Sequence, residues 1–155
     1  MTGVQTCALP ISLEYRTGIF RMESRSGINI LRVRMPLFRS VKMNLASGHF
    51  LAPVALLIGG LRCAKAEAIY AYSPPLLIGL AGKLIAWKMK AILVLGVQDL
   101  HPQAYVDQEI IKSRMLIKIF RVVERYVYRL CDAITVHSDG NKDHVVSVLG
   151  ARKGC

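Results

Sequence analysis

The chain has 155 residues, 53% of them hydrophobic, and its Lys and Arg outnumber Asp and Glu by 21 to 10, for a formal charge of +11 at pH 7. That length holds one domain with its own core and excludes two of ordinary size, and the apolar content excludes a disordered tail. The charge predicts an anionic partner, and alone it does not separate nucleic acid, anionic lipid and a phosphorylated substrate.

Residues 1–11 resemble a translated sequencing-library adapter and are set aside from the fold, which leaves 12–155 as a partial domain. No basic stretch leads into an apolar, cleavable segment at the start, so export is not expected. Cys7, Cys63, Cys131 and Cys155 are scattered, with neither metal-ligand spacing nor a small-domain disulfide pattern, which predicts a reducing compartment.

Residues 12–27, polar and basic with Gly18 and Gly27 as turn signals, read as a loop. Residues 28–33 then form a short β-prone run that Pro36 terminates. Residues 41–62 read as a long helix kinked near Pro53. Its most apolar part, 51–61, is about half of the roughly 20 residues that a membrane span requires, so the helix is expected to be buried or interfacial.

Residues 68–72 read as a strand, followed by Ser73-Pro74-Pro75 and a helix over 76–89 whose start the prolines favour. Residues 91–97 are wholly apolar, the pattern of a parallel strand covered on both faces, and they run into Gln98-Asp99-Leu100-His101-Pro102. The helix predicted over 113–131 carries one apolar stripe, Leu116, Phe120, Val123, Val127 and Leu130. A second stripe, Arg114, Lys118, Arg121, Arg125 and Arg129, is wholly basic. A strand at 133–137 leads through Ser138 into a helix over 139–149 that Gly150 ends.

This alternation predicts an α/β fold: a Rossmann-like parallel sheet of four strands with helices on both faces. No Gly-rich phosphate loop is present, so nothing in the motifs marks a nucleotide site in this part. Ligand chemistry is expected where the parallel strands end, at Tyr72 to Pro75, at Gln98 to Pro102 and at His137 to Asp139.

Those three strand ends, in that order, resemble the N-terminal, acceptor-side domain of GT-B fold family 4 glycosyltransferases. The likeness is greatest to the bacterial exopolysaccharide, O-antigen and colanic acid branch. It is carried by Ser73-Pro74-Pro75, by Gln98-Asp99-Leu100-His101-Pro102, and by Glu124, Tyr128, Arg129, Cys131-Asp132 and Ser138, and it covers about Asn29 to Lys153. Many relatives carry His where this chain has Gln98 and Tyr where it has His101, so no catalytic histidine transfers.

The resemblance implies a retaining transferase that moves a sugar from a nucleotide-sugar cosubstrate to a polyprenyl-diphosphate-linked saccharide, with no further cofactor. It implies a cytoplasmic protein lying peripherally on the inner face of a bacterial cell membrane, with the donor cations on a C-terminal domain absent from these residues. The fragment is expected to be inactive alone. Asp99 is the candidate catalytic residue, orienting an acceptor hydroxyl; its plainer role is to cap a turn or pair with a cation.

Ser73, Gln98, His101 and Ser138 are candidate acceptor contacts, although Ser73 also suits a helix start and Ser138 an N-cap. Glu124 is expected to pair with a neighbouring base such as Arg121 or Arg125. The basic stripe is the candidate contact with an anionic membrane, against the alternative of a solvated helix face. His49, His101, His137 and His144 do not cluster, so no metal site is expected. The competing readings are a basic nucleic-acid-binding module and a non-catalytic membrane-surface interaction domain.

Overall fold

The computed structural model describes residues 5–8, 19–34, 41–100 and 113–150, with the backbone alone for 5–8 and 41–47. In chain order the strands are β1 (Gln5–Ala8), β2 (Phe20–Arg25), β3 (Ile28–Val33), β4 (Ala68–Ser73), β5 (Ile92–Val97) and β6 (Ala133–Val136). The helices are α1 (Val41–Gly60), α2 (Ile78–Met89), α3 (Arg114–Leu130) and α4 (Asp139–Leu149). Among the described residues the architecture is mixed α/β, in two three-stranded sheets.

The first sheet has the order β1-β3-β2 and corrects two expectations. Part of the segment read as a loop over 12–27 is the strand β2, antiparallel to β3 in a hairpin from Phe20↔Val33 to Arg25↔Ile28. Its two turn residues, Ser26 and Gly27, have φ of 50° and 81°. Two successive positive φ values match the twist of a two-residue hairpin, and glycine at the second adopts its value without a Cβ penalty. Glu23 and Arg32 form an ion pair across the ladder at 2.6 Å. The strand at 28–33 was expected to join a four-stranded parallel sheet, but it is one arm of this hairpin and pairs, in parallel, with β1.

The second sheet is wholly parallel, in the order β4-β5-β6. Leu93, Leu95 and Val97 of β5 are buried and meet Ala71 of β4, Ala86 of α2, Val127 and Tyr128 of α3 and Val145 of α4 in one core. The opposite face, which was expected to be covered by helices, exposes Tyr70, Tyr72 and Ile92. Strands added in sequence order through right-handed crossovers send their connecting helices to the same side, and a reversal of strand order is needed to cover the other.

Helix α2 begins at Ile78, later than expected, with Pro74 and Pro75 in the turn before it and Ile78 N–H donating to the Pro75 carbonyl at 3.0 Å. It sits close to the sheet because Gly82 faces Leu93 and Ala71, where a Cβ would come within 2.8 Å of the Leu93 side chain. Helix α1 contains Pro53, and no helix among the described residues is long and apolar enough to cross a membrane. On α3 the buried stripe is shifted from the expected one: Glu124, Val127 and Tyr128 are buried, whereas Leu116 is 44% exposed.

Candidate functional site

The parallel register brings the predicted strand ends to one edge. Ser73 lies opposite Val97, and Val97 lies opposite Val136, so the three chains leave the sheet side by side. Gln98 N–H donates to the Ser73 carbonyl at 3.0 Å, which carries the ladder one residue past β5. The Gln98 carbonyl accepts from Nδ2 of Asn141, in the first turn of α4, at 3.2 Å. These two bonds tie the exits of β4 and β5 to the start of α4.

Within this edge the candidate residues have different exposures. Asp99 is exposed and Gln98 half-buried. The Ser73 side chain is 1% exposed and shares the face of Ala71, so this residue contributes to the edge through its backbone. Ser138 is the N-cap of α4, its Oγ accepting from Asn141 N–H at 3.2 Å, and is itself exposed. His101 lies outside the described residues. Asn141 did not stand out in the sequence, although an amide three residues after a capping serine faces back toward the strand exits.

A separate hollow lies elsewhere, along the edge of β6 between α3 and α4. It encloses about 820 Å³ and is lined in part by Arg129, Asp132, Ile134, Lys142, Asp143 and Leu149. Beside it, Asp132 accepts from Leu93 N–H at 2.7 Å and stands 3.5 Å from Lys83. The Leu93 bond holds its carboxyl below the usual range against some desolvation, with Lys83 acting in the same direction. Burial pushes the Cys131 thiol up to about 11, with Lys83 opposing and Asp132 reinforcing the shift.

Glu124 was expected to pair with a neighbouring base, and the partners placed around it are on its own helix and on α4. It is wholly buried, and its Oε1 accepts from the Tyr128 hydroxyl at 3.1 Å and lies 3.1 Å from His144 Nε2 on α4. Burial, and then the adjacent Glu124 carboxylate, push the Tyr128 hydroxyl well up. The Glu-x-x-x-Tyr spacing places both groups one helical turn apart, where they meet inside the core. Arg125 instead donates to the Val148 carbonyl at 3.0 Å, so α3 and α4 are joined both within the core and at its rim.

The five basic residues of α3, Arg114, Lys118, Arg121, Arg125 and Arg129, are all exposed. Among the described residues no group of three or more His, Cys, Asp or Glu side chains is placed to hold a metal ion. No family model matches the chain, and neither a curated protein nor a solved structure matches it.

Proposed function

We propose that the chain is the acceptor-side domain of a retaining glycosyltransferase with a Rossmann-like, GT-B arrangement. In this reading a nucleotide sugar is the donor, bound by a further domain, and a polyprenyl-diphosphate-linked saccharide is the acceptor in cell-surface polysaccharide synthesis. The observation that supports it is the shared edge: the motif segments beginning at Ser73, Gln98 and Ser138 leave adjacent parallel strands together. The end of a parallel sheet is where α/β domains bind ligands.

In the transfer, the bond from the anomeric carbon to the diphosphate breaks, an acceptor oxygen bonds to that carbon from the same face, and the proton of the acceptor hydroxyl passes to the departing diphosphate oxygen. Asp99 accepts a hydrogen bond from that hydroxyl and aims its oxygen at the anomeric carbon, a task of positioning. Gln98 can donate to and accept from neighbouring sugar hydroxyls through its side-chain amide. Ser138 and Asn141 fix the α4 end of the cleft, and Ser73 fixes its floor. The membrane partner is an anionic cytoplasmic leaflet, met through the exposed cations of α3.

The test is an NMR titration of the chain with a short polyprenyl-diphosphate-linked saccharide, followed by assay with nucleotide sugars. The expected result is amide shifts at 98–99 and 138–141 with no sugar transfer. Turnover by these residues alone overturns the division into acceptor and donor halves. Shifts confined to other surfaces overturn the acceptor site.

A further inference from the structure

Helix α3 has three faces where a helix at the surface of a globular domain ordinarily has two. Glu124, Val127 and Tyr128 face the core. Arg114, Lys118, Arg121, Arg125 and Arg129 form an exposed basic stripe. Met115, Ile119, Val122 and Tyr126 form a third, apolar stripe, exposed by 69%, 50%, 69% and 58%. Their spacing of four, three and four residues keeps them on one side of the helix, and each follows a cation in sequence, so the two stripes run in parallel about 100° apart.

Exposed apolar side chains in an unbroken row are a cost in water unless something covers them. What covers this row is indicated by its border. The only acid in α3 is Glu124, and it is buried, so the whole outer surface of the helix is apolar or cationic. A protein partner for so cationic a border would need a dense acidic rim, whereas an anionic bilayer offers negative charge and hydrocarbon at adjacent depths. Helices that lie in the membrane interface have this composition, with bulky apolar groups inserted and Lys or Arg at the phosphates.

We infer that α3 inserts Met115, Ile119, Val122 and Tyr126 into an anionic bilayer while its basic stripe binds the headgroup phosphates. The inference deepens the transferase reading, on which it rests for the membrane location of the acceptor. It adds a distinction: the helix is a wedge held by apolar contact, beyond adsorption by charge. Arg125 is already engaged at the Val148 carbonyl, so α3 carries α4, and with it the Ser138 and Asn141 end of the cleft, to the membrane surface.

The experiment is co-sedimentation of the full chain with phosphatidylcholine vesicles, with and without about one third phosphatidylglycerol. The vesicles contain no saccharide acceptor, so failure here leaves acceptor binding to be judged separately by the titration above. The chain is expected to bind only the phosphatidylglycerol vesicles. Combined Arg114→Gln, Lys118→Gln and Arg121→Gln substitutions should lower partitioning about 100-fold. Combined Met115→Gln, Ile119→Gln and Val122→Gln substitutions should leave binding at low salt but allow release at about 1 M NaCl, where charge attraction is screened within about 3 Å. The unsubstituted chain, once inserted, should stay bound.

Circular dichroism checks that each variant is folded, and the single substitutions Arg121→Gln and Val122→Gln replace the basic and the apolar triple variant, respectively, where one is not. The inference is overturned if the apolar variant keeps the salt response of the parent, or if the parent ignores phosphatidylglycerol. It is also overturned if the apolar substitutions convert a dimer to a monomer without changing vesicle binding, or if an RNA oligonucleotide is bound in preference to the vesicles.

Discussion

Asp132 satisfies both backbone polar groups of Leu93: its carboxylate accepts from the Leu93 N–H at 2.7 Å, and its own N–H donates to the Leu93 carbonyl at 2.9 Å. The parallel pairing of β5 with β6 begins only at Val94↔Ala133, so Asp132 extends the contact by one residue with its side chain as well as its backbone. This is a structural role for the acid that precedes β6. It anchors the end of the sheet remote from the candidate site.

Asp132→Ala is therefore expected to destabilise the chain by about 2 kcal/mol, the scale of a hydrogen bond to a charged group, in urea unfolding at neutral pH. Asp132→Asn, which keeps an acceptor, should lose less. The Asp132 carboxyl is held below its ordinary value in the folded state, so its contribution is present above the unfolded value and disappears as pH falls through the folded one. The gap between parent and Asp132→Ala should accordingly narrow below about pH 4. An undiminished gap at lower pH would show that the side chain acts through packing.

The buried Glu124 joins α3 to α4 through His144 and stays within its own helix through Tyr128. Removing one member of such a buried set strands the others, so Glu124→Ala should cost about 3 kcal/mol. Glu124→Gln retains an acceptor for Tyr128 and should cost clearly less. Thermal unfolding of the two variants side by side checks the order. Equal losses would assign the effect to volume.

Gly82→Ala should destabilise the chain by about 1 to 2 kcal/mol even though alanine is the better helix former. The added methyl meets the Leu93 side chain at 2.8 Å and the Ala71 Cβ at 3.3 Å, and neither can retreat within a filled core. Gly48→Ala in α1, where a Cβ meets nothing within 4 Å, is the control and should be neutral or stabilising. Urea midpoints for the pair provide the comparison.

Asp99→Ala, placed in a protein that also contains the donor domain, should lower kcat/KM about 100-fold through a misplaced acceptor oxygen. An unchanged kcat/KM would remove Asp99 from the site.

The elements from β3 to α4 were largely legible because each has a local signal. The apolar run of β5, the cap of Ser138 and the stop at Gly150 depend on neighbours a few residues away. The strand β2 was missed because its polar composition carries no local strand signal, and only its pairing with β3 makes it a strand. The start of α2 was placed two residues too early because proline was read as its first turn. At the site, the convergence of the segments beginning at Ser73, Gln98 and Ser138 followed from parallel pairing alone. The burial of the Ser73 side chain and the bridge from Asn141 to Gln98 did not.

What the sequence determined by itself was the identity and order of most strands and helices, since backbone preference, capping and hydrophobic period act over a single turn or pleat. Among the described residues, the tertiary structure decided the division into two sheets, the exposure of Tyr70, Tyr72 and Ile92 on one face of the parallel one, and the third, apolar face of α3. It also directed Glu124 inward to His144. These depend on which surfaces meet across tens of residues, and a stripe of Met, Ile, Val and Tyr has the same pattern in a sequence whether it faces a core or is left outside one.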